Sequence, residues 1–212
     1  MIGFETIGNA TLTLFDDEPV LTTDPWVYGN PYFGSWGHKY QIPIEQLNNI
    51  KKSKYIWLSH GHPDHIDPDS FSLFEGKTIL LADHYNKRIF NDLSKKYKCV
   101  ELKSNKWFEI TKNIRIKSFS DWNQDSSLIV EILKKDLIFN LNDGQALGWS
   151  KEIKKIISNY KNKFLLRLIS WGDADMINFY NHNDDFVMPL AAEKKPCGET
   201  YSYNLKKWGC NF

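Results

Sequence analysis

Positions 60 to 65 read His60-Gly61-His62-Pro63-Asp64-His65, which places three of the chain's six histidines and one carboxylate in six residues. Imidazole and carboxylate together are the donors that zinc, iron and manganese take. His60 and His62 stand two apart, so on an extended backbone both side chains leave by the same face. Gly61 leaves room between them, and Pro63 biases His62 toward an extended conformation. Asp64 and His65 follow in a turn. Asp67-Pro68 then has the form of a helix start, with Asp67 as N-cap and Pro68 at the first helical position. The apolar run Tyr55-Ile56-Trp57-Leu58 ahead of the histidines reads as a buried strand. A strand end, a ligand-rich loop and a capped helix would hold an ion on rigid supports. The bland alternative is a solvated loop that is rich in histidine.

H-x-H-x-D-H after an apolar strand resembles the metal-binding motif of the metallo-β-lactamase superfamily, here His60, His62, Asp64 and His65. The resemblance implies an α/β fold, the αβ/βα sandwich of two mixed sheets flanked by helices, with one or two divalent ions. It also directs attention to two other strand ends. Where the superfamily carries a third-motif histidine, this chain has Ser120–Ser127 with Asp121 and Asp125 as available ligands. Where the superfamily keeps a bridging aspartate, it has Asn142-Asp143-Gly144, and Asp143 takes that role. The plain alternative is a turn aspartate, since that tripeptide favours turns by itself.

Leu21–Trp26, the aromatic loop ending Gly34-Ser35-Trp36, Ile56–His60, Asp125–Glu131 and Phe139–Asp143 look like one branch of the superfamily. That branch is typified by the metallo-β-lactamase-like domain of CMP-N-acetylneuraminate hydroxylase. In its register Asp121 stands at the third-motif position, so Asp121 ranks ahead of Asp125 as ligand. Two departures matter. The hydroxylase's iron–sulfur domain has no counterpart here. After Tyr180 the chain is short, which leaves His182 as the candidate for the final-motif ligand, against a reading as a surface-loop histidine. His84, after an apolar run, has a similar status.

His60, His62 and Asp121 would make a two-histidine, one-carboxylate set, the usual coordination of non-haem iron. Asp64, His65 and Asp143 would form a second centre, so iron or manganese ranks ahead of zinc. Hydrolysis by metal-activated water is the first reading of the reaction, with Asp64 and Asp143 as catalytic residues. An iron-dependent oxygenase acting on a small polar substrate, served by a separate redox partner, is the alternative. A metal-stabilised binding module without catalysis is the third. Asp24 would either hydrogen-bond a ligand histidine or cap the Pro25 turn. Lys39, Arg88 and Arg167 could each meet an anionic substrate, and the sequence does not choose among them.

Several elements must position these groups. Residues 2–7 and 10–15 read as a hairpin around Gly8-Asn9, and Pro19–Thr23 as a third strand. Val27–Tyr40 is a long aromatic loop whose Tyr28, Tyr32, Trp36 and His38 suit a substrate-facing wall. Pro43–Lys52 reads as a helix, Pro68–Phe74 as helical, Thr78–Ala82 as a strand, Tyr85–Lys96 as an amphipathic helix and Cys99–Lys103 as a strand. Lys106–Ile110 and Asn113–Ser118 follow as antiparallel strands, then Leu128–Leu133 and Leu137–Leu141 as a hairpin. Trp149–Tyr160 reads as a helix, Phe164–Ile169 as a strand, and the remainder as irregular apart from a short strand at Phe186–Met188.

The 212 residues suit one domain, and a formal net charge of +1 gives no reason to expect nucleic acid or an anionic membrane as partner. Aromatic residues make up 15% of the chain, with eight Trp, more rings than a core alone requires. Cys99, Cys197 and Cys210 show no disulfide or metal spacing. The N-terminus carries Glu5 and reads as neither signal peptide nor membrane span, which makes cytoplasm the expected location.

Overall fold

The computed structural model describes residues 1–38, 40–167, 183, 185 and 197–212. Eleven strands in these residues form two sheets. The first has the order β1-β2-β3-β4-β5-β6, made of Ile2–Gly8, Thr11–Asp16, Glu18–Thr23, Tyr55–Leu58, Thr78–Ala82 and Lys98–Leu102. β1, β2 and β3 pair antiparallel, while β3 through β6 run parallel. The second has the order β11-β10-β9-β8-β7, where β7 is Trp107–Glu109, β8 Ile114–Ser120, β9 Ser126–Ile132, β10 Asp136–Asn142 and β11 Asn162–Arg167. Only its β10–β11 pair is parallel.

Period-two alternation sets the layers. In β4, Trp57 joins Leu12, Leu14 and Leu80 against Ile116, Leu128 and Val130 in the core between the sheets. Its neighbours Ile56 and Leu58 turn outward, onto helix α1 (Ile44–Lys52), the 3₁₀ helix Pro68–Phe74 and helix α2 (Arg88–Leu93). On the other side Phe119, Phe139, Leu141 and Leu165 pack beneath α3 (Ser150–Ile157) and α4 (Cys197–Trp208). Helix, sheet, sheet and helix therefore stack as the expected αβ/βα sandwich.

Three elements differ from their sequence reading. The Pro68–Phe74 helix is 3₁₀, though Asp67 caps it as expected by accepting from Asp69 N–H at 2.9 Å. Helix α2 covers only Arg88–Leu93 of the Tyr85–Lys96 span, and the chain end is helical over Cys197–Trp208, where irregular structure was expected. That end does carry a helical stripe: Tyr201, Asn204, Leu205 and Trp208 recur at core spacing, and Trp208 is 2% exposed. The Phe186–Met188 strand and the end of Phe164–Ile169 lie outside the described residues. Among the described residues no helix is long and apolar enough to cross a membrane.

Candidate metal centre

The ligand loop leaves the C-terminal end of β4, and the ends of β3, β8 and β10 arrive beside it. Asp24 follows β3, the Asp121–Asp125 turn follows β8, and Asn142-Asp143 closes β10. Asn142 adopts φ +58, a left-handed conformation that asparagine tolerates. This turns Asp143 back over the sheet end, and Asp143 N–H donates to Asn142 Oδ1 at 3.1 Å.

His60 Nε2 lies 2.7 Å from His62 Nδ1, 3.5 Å from Asp143 Oδ2 and 3.9 Å from Asp125 Oδ1. His65 Nε2 lies 3.3 Å from Asp64 Oδ2 and 3.8 Å from Asp143 Oδ2. Atoms bound to one ion at roughly 2.0–2.2 Å stand about 3–3.5 Å from one another. The measured separations cluster around that spacing, in two groups that share Asp143. His65 Nε2 and Asp143 Oδ1 are buried with no hydrogen-bond partner among the described residues. Orphaned buried acceptors are costly unless something fills them, and imidazole and carboxylate lone pairs aimed at one point fit a divalent cation. His60, His65 and Asp143 meet this test most closely.

Asp24 holds the other side of His65. It is fully buried; its Oδ1 accepts from Ser59 N–H at 2.8 Å and its Oδ2 from Asn142 Nδ2 at 2.7 Å, with His65 Nδ1 3.4 Å from Oδ2. A carboxylate beside Nδ1 favours the tautomer that leaves Nε2 bare for a ligand. Burial opposes charge on His65, yet Asp24 and Asp64 outweigh it and raise the imidazole to about 10, so an ion would bind Nε2 by displacing its proton. His60, buried and next to His65, is instead pushed down to about 4. Asp64 is buried but lowered, because His65, Tyr32 and Asn9 all stabilise its carboxylate. Tyr32 O–H donates to Asp64 Oδ1 at 2.7 Å, and Asn9 Nδ2 donates to Oδ2 at 3.1 Å. Burial raises Asp143.

At the third-motif position the two aspartates are placed differently, and Asp121 Oδ2 is itself buried with no hydrogen-bond partner among the described residues. Asp121 reaches no described histidine at ion-pair distance. Its Oδ1 instead accepts from Asp125 N–H at 3.1 Å, and Asp121 N–H donates to Asp125 O at 3.0 Å. Asp121 thus closes the turn that carries Asp125 toward His60, and Asp125 is the carboxylate the structure brings there. Burial, then Asp125, raises the Asp121 carboxyl. His182 lies outside the described residues. His84 donates from Nε2 to the Ser59 carbonyl at 2.9 Å, while its Nδ1 is buried without a partner among the described residues. It lines, with His60, His62 and Asp125, a cavity of about 570 Å³ in front of the centre.

The aromatic loop divides. Tyr32 reaches the centre through Asp64, whereas Trp36 packs on Tyr32 and His38 stacks on Trp26 with ring centroids 4.3 Å apart. Tyr28 N–H donates to Ser70 Oγ at 2.9 Å and its side chain is 38% exposed. Gly29, at φ +85, passes so close to Asp67 that a Cβ would sit 2.4 Å from Oδ1, so this crossing requires glycine. The sequence reading missed Asn9, Ser59 and Asn142 as parts of the site. Small polar residues at turns are common, and only their placement distinguishes these three.

Comparison with known proteins agrees with this architecture. The CmlA β-hydroxylase superposes with a TM-score of 0.53 at 12% identity over 73% of this chain and 32% of its own. Isothiocyanate hydrolase from Delia radicum gut bacteria superposes with a TM-score of 0.58 at 14% identity over 97% and 81%. The chain has the metallo-β-lactamase fold. No family model matches it. By sequence it is 26% identical over 110 residues to a cytidine monophosphate-N-acetylneuraminic acid hydroxylase of Asterias rubens, covering 48% of this chain. It spans 17% of that relative's length. Proteins sharing the fold thus include a β-hydroxylase and a possible metal-dependent hydrolase of Veillonella parvula, which superposes with a TM-score of 0.53 at 12% identity over 78% of this chain and 85% of its own.

Proposed function

We propose that this chain is a metal-dependent hydrolase acting on a small molecule in the cavity before His60. The observation that carries this reading is the meeting of His60 Nε2, His65 Nε2 and an Asp143 carboxylate oxygen, two of these residues bearing buried, unpartnered acceptors. His62 and Asp125 complete the His60 side, and Asp64 completes the His65 side. A divalent ion bound there supplies Lewis acidity and lowers the pKa of water toward neutrality.

The protein's own groups then have separable tasks. Asp24 orients His65. Tyr32 and Asn9 occupy both Asp64 oxygens, so Asp64 stays ionised and is a poor proton acceptor. Asp143, raised by burial and with Oδ1 open, is the better one. The 570 Å³ cavity admits a small substrate against His60, His62 and Asp125. Mixed imidazole and carboxylate donors place iron or manganese ahead of zinc.

One observation favours a second reading. The donor brought to His60 at the third-motif position is a carboxylate, which suits iron and an oxygenase, with a separate redox partner supplying electrons. Metal analysis of protein purified without added metal, followed by ester, lactone and phosphodiester assays and by O₂ uptake with iron(II), separates the two. Hydrolysis without oxygen consumption supports the first. Iron near one or two equivalents, with activity lost anaerobically, overturns it.

A further inference from the structure

We infer that Arg167 forms an anion subsite next to the metal centre, taking a carboxylate or phosphate group of the substrate. Arg167 ends β11 and pairs in register with Asn142 of β10. It lines a second cavity, of about 200 Å³, together with Thr6, Asn9, Asn140, Asn142 and Tyr201. That is several times the ~30 Å³ share of a water molecule in the liquid. The cavity shares walls with the centre: Asn9 donates to Asp64, while Asn142 donates to Asp24 and precedes Asp143. The amides of Asn9 and Asn142 thus stand between this space and the carboxylates of Asp64 and Asp24.

Among the described residues, the side chain of Arg167 is held by a neutral partner. Nη1 donates to Asn204 Oδ1 at 3.2 Å, and Asn204 is itself fixed by donating from Nδ2 to Thr200 O at 2.7 Å. The support is a buried neutral amide. Among the described residues no carboxylate lies at ion-pair distance from Arg167, and no Asp or Glu lines the cavity. Burial pushes the guanidinium below its ordinary value, with Asp143 as the charge that opposes this. A guanidinium has five N–H donors in a planar fork, which matches two oxygens of a carboxylate or phosphate. Neutral Asn, Thr and Tyr walls admit such an anion without repulsion.

Of the three cations left open by the sequence, Lys39 lies outside the described residues. Arg88 stands at the rim of the His60 cavity, but it is 83% exposed and sits 4.0 Å from the Asp92 carboxylate. Arg167 is half-buried and ends the strand that pairs with β10 at Asn142, next to Asp143. The assignment of this anion to the substrate rests on the metal-centre reading; the binding itself does not.

Equilibrium binding of inorganic phosphate and of acetate tests it, on protein of measured metal content and again after chelator treatment. The variants are Arg167→Met, Arg167→Lys and, as a surface control, Lys95→Met, which alters an exposed cation paired with Asp92. The expected result is one-to-one binding of at least one probe, weakened at least tenfold in Arg167→Met. Arg167→Lys should fall between, and Lys95→Met should stay within twofold of wild type. No binding of either probe, or a folded Arg167→Met variant within twofold of wild type, overturns the subsite. Should the methionine variant unfold, Arg167→Gln carries the same test. Phosphate binding through Arg167 in a chain that takes up no metal keeps the subsite and removes the enzyme reading. Full metal loading with Arg167-independent binding does the reverse.

Discussion

Replacing Asp24 by asparagine should uncouple the ligand histidine from the strands that carry it. The native carboxylate accepts from Ser59 N–H at 2.8 Å and from Asn142 Nδ2 at 2.7 Å, and faces His65 Nδ1. An amide in its place offers one oxygen, so whichever way it turns, one buried donor meets another donor. One unsatisfied buried donor costs about 1–3 kcal/mol, which for a chain of this size is roughly 2–12 °C in melting temperature. The second consequence falls on the metal. With the charge gone, His65 loses the partner that selects its Nδ1–H tautomer, and losses of this kind weaken metal binding about 10–100-fold. Thermal melts of the metal-free protein and chelator-competition titrations with manganese and zinc read the two effects separately. A folded Asp24→Asn protein with metal affinity within twofold of wild type would refute the reasoning, because Asp24 would then be structural alone.

Other outcomes follow from the same geometry. Asp125→Ala should lower metal affinity at least tenfold. Asp121→Asn, which keeps an acceptor for Asp125 N–H, should stay within threefold; the opposite ranking in chelator competition would restore Asp121 as the ligand. Tyr32→Phe removes a half-buried bond to Asp64, worth about 1 kcal/mol, and should lower the melting temperature by roughly 2–4 °C without changing metal stoichiometry. Trp208→Ala, emptying a buried position at the end of α4, should cost about 3–5 kcal/mol in denaturant unfolding. A loss below 1 kcal/mol would show that α4 is not docked. Glu131 is buried but lowered, because Arg115 and Tyr160 hold its carboxylate. It therefore stabilises the fold above the ordinary glutamate range, and that contribution is lost as pH falls through its lowered value. Glu131→Gln should flatten this acid limb in melts taken between pH 7 and pH 3.

Much of the fold was legible because its strands carry strong local signals. The Tyr55 strand, the Gly8-Asn9 hairpin and the Asp67-Pro68 cap each depend on residues adjacent in sequence. The ligand loop stands out in the sequence for the same reason, whereas Asp143 was pointed to by the family resemblance and not by any local pattern, since Asn-Asp-Gly favours turns by itself. What the sequence did not show depends on approach between distant segments. Asp121 and Asp125 share one turn, and the hydrogen bond between them decides which one faces His60. The links from Asn9 to Asp64 and from Asn142 to Asp24 join residues 55 and 118 positions apart, and no local pattern marks them. The terminal helix was missed for a different reason: Gly198 and several polar residues weaken its apolar stripe, and Trp208 supplies much of what remains.

The account stands most directly on the metal itself. Elemental analysis of protein purified without added metal should find one or two equivalents of iron, manganese or zinc per chain. Those equivalents should fall below a tenth in His60→Ala and in Asp143→Ala while both variants remain folded. A well-folded wild-type chain that carries no transition metal, and whose melting temperature does not respond to adding any of the three, would contradict it.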